Sequence, residues 1–267
     1  MEKSSGLTVK RSAIKLAVVA AISLLLLIPL SMIKGVIGDR EWSKQQVTQE
    51  VAETFAGKQV VYTPQIESTV TTFERDSKGK VSHRDLSYIE HPSEFDIRAD
   101  VTTELLHRSI YDVIVYGSKI EFTGDILITE TILRAKTNNF KFKISDFKGL
   151  DSFSELRFGD KSYSLDGGFD YLSAMVELPQ GAKLGDRVEF GLTVELKGTE
   201  SLSFQPMAKQ TTLTMTSRYP HPSFYGGFLP DHRRVSSDGF KAEWSVLSYN
   251  VASQADTMGV KFVDPAN

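Results

Sequence analysis

The run "HRDL" at 83–86 is the stretch of this sequence that most invites a catalytic reading. In protein kinases those four residues open the catalytic loop, where the aspartate acts as base and an asparagine at a fixed offset holds a metal ion. Here Ser87, Tyr88, Ile89 and Glu90 follow, and no asparagine stands at the required place. No glycine-rich phosphate loop precedes the run, and "DFK" at 146–148 does not supply the metal-binding triplet. The match is therefore fortuitous, and the surroundings read as a strand. The signatures HExxH, GxSxG and GxxxxGK[ST] are absent from the chain. The five histidines, His83, His91, His107, His221 and His232, show no helical metal-ligand spacing. With no cysteine, thiolate metal sites, thiol nucleophiles and disulfides are excluded. Acidic residues are plentiful, but their spacing singles out no catalytic pair. No residue is expected to serve as nucleophile, general base or metal ligand, and no cofactor is expected.

A second stretch is unusual for its composition. "YPHPSFYGGFLP" at 219–230 holds three of the nine prolines, two adjacent glycines and four aromatics, and Arg233 and Arg234 follow closely. Pro220 and Pro222 favour extended backbone and forbid a central strand. The Gly226–Gly227 pair permits a sharp reversal. Two readings stand open. In the first, the aromatic rings fold back as a packed corner over one end of a β domain. In the second, Tyr219, His221, Phe224, Tyr225, Phe228, Arg233 and Arg234 form a partner-docking loop, since exposed aromatics beside arginine suit interfaces.

The elements that would carry this stretch begin with a membrane segment. The chain has 267 residues, of which 40% are hydrophobic, and a net charge of −3. Residues 1–15 form a basic tail, with Lys3, Lys10, Arg11 and Lys15 against Glu2 giving +3, so the remainder carries −6. A mildly acidic body argues against nucleic acid as a partner. A transmembrane helix is predicted over 16–34. Its first eighteen residues, "LAVVAAISLLLLIPLSMI", carry no charge and would rise about 27 Å, close to a bilayer core of about 30 Å. The flanking cations put the N-terminus in the cytoplasm and the body outside it. A cleaved signal peptide is the rival reading, and with cleavage after residue 38 it would make the body a secreted binder. The long apolar run and the lack of an Ala-x-Ala site argue against it. Residues 35–57 are predicted as a short amphipathic stalk helix, with Val47, Val51 and Phe55 on one stripe and Gly57 placed as its C-terminal cap.

From residue 58 to 267 the hydrophobic period is two. "IRADV" (97–101), "NFKFKI" (139–144), "VEFGLTVEL" (188–196), "TLTMT" (212–216) and "FKAEWSV" (240–246) alternate apolar and polar residues. Such alternation marks strands with one buried and one wet face and favours antiparallel pairing. "DSKGK" (76–80), "TGD" (123–125), "DGG" (166–168) and "LKGTES" (196–201) read as turns. The fold class is an all-β extracytoplasmic domain of ten or more short strands, arranged as a large antiparallel sandwich or two stacked sheet units.

Several segments together carry a family resemblance. They are "LLIPLSMIKGVIGDR", "RSIYDVIVYGSKIEFTG" (108–124), "ISDFKGL" (144–150), "LKGTESLSFQP" (196–206) and "YPHPSFYGGFLPDHRRVSSDGFKAEW" (219–244). In order and spacing they resemble the CreD family of bacterial inner-membrane proteins, over roughly residues 24–265. That family usually has Trp at the position of Tyr219 and Gly at the position of Ser109. The resemblance implies a large extracytoplasmic β domain after the first membrane helix and further helices after it, so the chain is expected to be a fragment or truncated product. It also implies a setting of envelope stress and colicin tolerance under sensor–regulator control.

Together these readings describe a non-enzymatic protein anchored in the bacterial inner membrane, its β domain serving partner interaction or envelope integrity. The partners are the lipid bilayer and other inner-membrane or envelope proteins. The alternative is an extracytoplasmic hydrolase or carbohydrate-handling β-sandwich, supported by fold class alone.

Overall fold

The computed structural model describes residues 5–75, 81–108, 110–168 and 170–263. The chain divides after Thr48 into two units. Helix α1 (Ser5–Thr54) runs unbroken through the position where the sequence suggested a boundary between membrane span and stalk. Gly35 and Gly38 cost a helix about 1 kcal/mol each but do not break it, and Pro29 is accommodated within it. The apolar side chains described in the span are exposed. Leu24, Leu25, Leu26 and Leu27 are consecutive and all exposed. A helical run that is apolar all round suits a bilayer core. It is long and apolar enough to cross a membrane.

The helix ends at Thr54, and Gly57 is not its left-handed cap. The Gly57 N–H instead donates to Asp146 Oδ2 at 2.9 Å, and Lys148 Nζ donates to the Glu53 carbonyl at 3.3 Å. In this last turn Val51 is buried at 2% exposure, and Lys197 Nζ lies 5.6 Å from the centre of the Phe55 ring.

The β domain opens with β1 (Gln59–Val61), β2 (Gln65–Arg75), β3 (Val81–Glu90), β4 (Glu94–Arg108) and β5 (Tyr111–Leu127). A short helix α2 (Glu130–Arg134), capped by the Thr129 side chain, leads to β6 (Thr137–Phe142). Then come β7 (Leu150–Phe153), β8 (Leu156–Phe158), β9 (Lys161–Tyr163), β10 (Asp166–Gly167) and β11 (Leu172–Val176). The remaining strands are β12 (Arg187–Thr199), β13 (Ser201–Phe204), β14 (Gln210–Ser217), β15 (Pro222–Gly226), β16 (His232–Ser236), β17 (Gly239–Leu247) and β18 (Met258–Phe262).

These strands form three sheets. A nine-stranded sheet has the order β16-β17-β14-β4-β5-β12-β8-β9, with β7 also paired to β12. A five-stranded sheet has the order β10-β11-β6-β2-β3, and a four-stranded sheet the order β1-β13-β18-β15. Rings join them into one core. Phe122 and Phe190 of the largest sheet meet Phe142 and Phe140 of the five-stranded sheet at 5.3 and 5.4 Å. Tyr116 meets Phe262 of the four-stranded sheet at 5.1 Å. The architecture is all-β, as the alternation indicated, with one correction. The pairing is mixed, because β14 runs parallel to β4 and β1 parallel to β13. Alternation reports a wet face, not a strand direction. β4 takes its hairpin neighbour β5 on one side and a strand more than a hundred residues distant on the other.

Two expected turns are also corrected. "TGD" lies inside β5, where a Cβ on Gly124 would strike the Phe190 ring and the Glu94 carbonyl. That glycine makes room for a core ring rather than reversing the chain. In "LKGTES" the strand continues through Thr199, and Glu200 alone, at φ 60°, makes the break before β13. In "DGG" Gly167 closes β10 and Gly168 follows it, its N–H donating to the Tyr171 carbonyl at 2.8 Å, and "DSKGK" lies outside the described residues.

Candidate functional site

The segment after β14 folds in two steps. In the first, Tyr219 lies edge-on to Phe262 at 5.6 Å and its hydroxyl donates to the Val263 carbonyl. His221 is exposed, 6.1 Å from the Tyr219 ring. Strand β15 then begins at Pro222 and pairs only with β18, so a proline without a donor stands at the start of an edge strand, where it costs least. Phe224 packs edge-on against Phe240 at 5.6 Å and Trp244 at 5.8 Å. The strand ends at Gly226, whose φ of 111° suits glycine, and a Cβ there would collide with the Thr257 carbonyl. Gly227 has no such conformation. The Phe228 N–H donates to the Thr257 carbonyl at 3.3 Å, and its own carbonyl accepts from Trp244 Nε1 at 3.3 Å. Tyr219, Phe224 and Phe228 thus pack on the core, but each is half-buried rather than fully enclosed. Tyr225 is half-buried as well. Its proximity is the second cause, after burial, that raises the pKa of the enclosed Tyr116 hydroxyl well above the tyrosine range. That hydroxyl donates to the Ser201 carbonyl at 2.7 Å.

In the second step the chain crosses to the nine-stranded sheet. Asp231 fixes the crossing. Its N–H donates to the Glu243 carbonyl at 2.9 Å, and its carboxylate accepts from the Ser245 N–H at 2.7 Å. Strand β16 follows along β17, with Arg233 opposite Ala242, Arg234 opposite Lys241 and Val235 opposite Phe240. Arg233 and Val235 therefore share the core-side face with Ala242 and Phe240, whereas His232 and Arg234 share the outer face with Glu243 and Lys241. All five residues of β16 are exposed, and β16 is the outermost strand of its sheet. Lys241 and Glu243 pair at 2.7 Å, and that hydrogen bond, with the lysine charge behind it, holds the Glu243 carboxyl below the usual carboxylate range. Among the described residues neither Arg233 nor Arg234 has a carboxylate partner. A shallow depression of about 210 Å³ lies beside Arg234, lined also by Ser217, Asp238 and Lys241.

The predicted docking residues are thus brought into one continuous segment but sorted into two kinds. Tyr219, Phe224, Tyr225 and Phe228 are partly committed to packing, and His221, Arg233 and Arg234 are free to solvent. Sequence reasoning missed Leu229 and Val235, which are 62% and 48% exposed. No local signal marked them, because among the described residues β16 has no outer neighbour, and that is a property of the sheet order.

The other histidines do not converge. His83 and Asp85 lie within β3, so "HRDL" is strand and not loop. His83 sits 4.9 Å from the Phe73 ring, and Asp85 accepts from the Thr71 hydroxyl at 2.6 Å. His107 pairs across its hairpin with Asp112. His91 lies between β3 and β4, and its burial, partly offset by a hydrogen bond with the Pro64 backbone, lowers its pKa from 6.5. Among the described residues no group of three or more His, Asp or Glu is placed to hold a metal ion.

Comparison with known proteins places this architecture. A family model for the inner membrane protein CreD matches residues 11–263. Inner membrane protein CreD of Escherichia coli (strain K12) is 26% identical over 234 residues, covering 83% of this chain and 52% of that protein. The chain therefore spans about half the length of its curated relative. Among solved structures, an M1 zinc metallopeptidase mutant from Deinococcus radiodurans aligns with a TM-score of 0.34 and 11% identity, over 64% of this chain and 42% of that one. A further M1 zinc metallopeptidase structure from the same organism gives a TM-score of 0.32 at 9% identity, with the same coverage. Likenesses of that size carry no weight for fold or chemistry. The family match spans the membrane helix and the β domain alike, and the chain belongs to the CreD family of inner membrane proteins.

Proposed function

We propose that α1 anchors the β domain on the outer face of the inner membrane and that the domain works by docking an envelope partner rather than by catalysis. The orientation rests on Lys10, Arg11 and Lys15 ahead of the apolar run. The docking role rests on one observation: the segment from Leu229 to Val235 presents two uncompensated arginines and two exposed aliphatic side chains on a base pinned by Phe224, Phe228 and Asp231. Binding surfaces commonly combine such arginines with apolar anchors on a preorganised scaffold. A photo-reactive amino acid placed at Leu229 or Arg234 in living cells should form position-specific crosslinks to an identified envelope protein. The same label at exposed Glu189, on the outer face of β12, should not. Identical crosslinks from all three positions, or none from Leu229 and Arg234, would overturn the docking role. An external reporter fused after residue 263 that stays inactive would overturn the orientation.

A further inference from the structure

Each of the three sheets ends in edge strands, and among the described residues these edges differ in how they are blocked; β1, for one, is bridged to Ile144 on its outer side. β9, β10 and β1 are two or three residues long, and Lys161 of β9 is neutralised by Glu177 at 2.6 Å. β15 is bracketed by Pro222 and the positive-φ Gly226. β3 is long, but its neighbouring Arg84 and Asp85 leave it without a net sign at that place. β16 is different. It carries Arg233 and Arg234 side by side, with no carboxylate bound to either among the described residues.

We infer that the outer edge of β16 accepts an extended acidic peptide segment of a partner protein as an additional strand, its carboxylates meeting Arg233 on one face of the sheet and Arg234 on the other. This rests on the docking role proposed above and specifies the chemistry of the partner. Strand addition supplies main-chain hydrogen bonds that any sequence can make, so selectivity comes from side chains at alternate positions. Successive residues of a strand point to opposite faces. Two successive arginines are therefore matched by two successive acidic residues, one on each face. Val235 lies two residues beyond Arg233 on the same face and is 48% exposed. The matching segment, read in the direction of β16, is acidic–acidic–apolar. Guanidinium–carboxylate pairs are charge-assisted and can be bidentate, which fixes the register of the added strand. A second copy of β16 is the wrong occupant, because its arginines would face these arginines, and like charges across strands repel. Five residues of edge give few main-chain bonds, so the interaction is modest and depends on salt.

The test uses the full chain in detergent and two fluorescein-labelled synthetic peptides of identical β-forming sequence. One carries a central Glu-Glu-Val and the other Lys-Lys-Val. Titration should show the acidic peptide binding more tightly by about tenfold or more, equivalent to about 1.4 kcal/mol, with the difference shrinking in high salt. Amide exchange at 232–236 should slow on its addition. Arg233→Glu combined with Arg234→Glu should reverse the preference, a gain of binding to the lysine peptide that a misfolded variant could not produce. Equal binding of the two peptides, binding without slowed exchange at 232–236, or self-association of the chain that the double variant abolishes would each overturn the inference. Position-specific crosslinks at Leu229 with no protection of 232–236 would sink the added strand and leave the docking role standing. Protection of 232–236 without any crosslink in cells would sink the docking role instead.

Discussion

β15 and β16 are successive strands of five residues each, and both lie at the outer edge of a sheet. They are nevertheless held in opposite ways. β15 enters with Pro222, lays Phe224 on Phe240 and Trp244, and leaves through a glycine that no other residue could replace without strain. β16 is held by its pairing with β17 and by the Asp231 crossing, and every one of its side chains is exposed. The difference shows that unusual composition and free surface need not coincide. The Pro, Gly and aromatic residues build a rigid corner, and the plain run "HRRV" beyond them presents what that corner positions.

The largest expected effect breaks the corner. In Gly226→Val a β-branched residue must adopt a φ of 111° and push its Cβ against the Thr257 carbonyl. Backbone strain and displacement of β18 together should cost about 3 kcal/mol or more. The adjacent Gly227→Val meets only the Asp256 side chain, at 3.2 Å from its Cβ, and needs no special backbone, so it should cost about 1 kcal/mol or less. Denaturant unfolding of the two variants checks the contrast. Equal losses would show that the reversal is not localised at Gly226.

A smaller effect separates the two strands by burial. Phe224→Ala removes ring contacts with Phe240 and Trp244. A fully enclosed phenylalanine loses about 3–5 kcal/mol on truncation, and this half-buried ring should lose about 2 kcal/mol by the same scaling. Leu229→Ala, at 62% exposure, should change stability by less than about 0.5 kcal/mol. Thermal melting of the full chain in detergent measures both. A large loss at Leu229 would mean that the loop is part of the corner and not its free surface.

Much of the architecture was readable from residue patterns because its causes are local. An uninterrupted apolar run and a period of two depend only on neighbours in sequence. Parallel pairing of β4 with β14 left no trace, because it joins strands over a hundred residues apart and an alternating strand pairs equally well in either direction. Gly124 was misread as a turn because a glycine that admits the Phe190 ring looks, in sequence, like one that turns the chain. Gly57 was misread as a cap because the helix ends earlier and Asp146, distant in sequence, takes its N–H. The site was half legible for the same reason. The aromatics of 219–228 marked the corner, whereas the exposure of Leu229 and Val235 follows from β16 having no outer neighbour, a property of the sheet order.

The smallest expected effect bears on β16 alone. Arg233→Glu with Arg234→Glu should leave melting unchanged to within about 0.5 kcal/mol. Among the described residues neither guanidinium has a carboxylate to lose, and both side chains are exposed. Across the strand pair stand Lys241 and Glu243, which pair with each other at 2.7 Å, and Asp238 lines the same depression as Arg234. A new carboxylate at 234 stands opposite Lys241 across the strand pair and gains some attraction, while the one at 233 faces Ala242 and gains none. Exposed charge changes of this kind are screened and nearly cancel. A loss of several degrees in melting temperature would show that the arginines hold the sheet edge in place, and β15 and β16 would then be two parts of one structural corner. Unchanged melting would leave the pair without a structural role and sharpen the division between the strand that builds the corner and the strand that it presents.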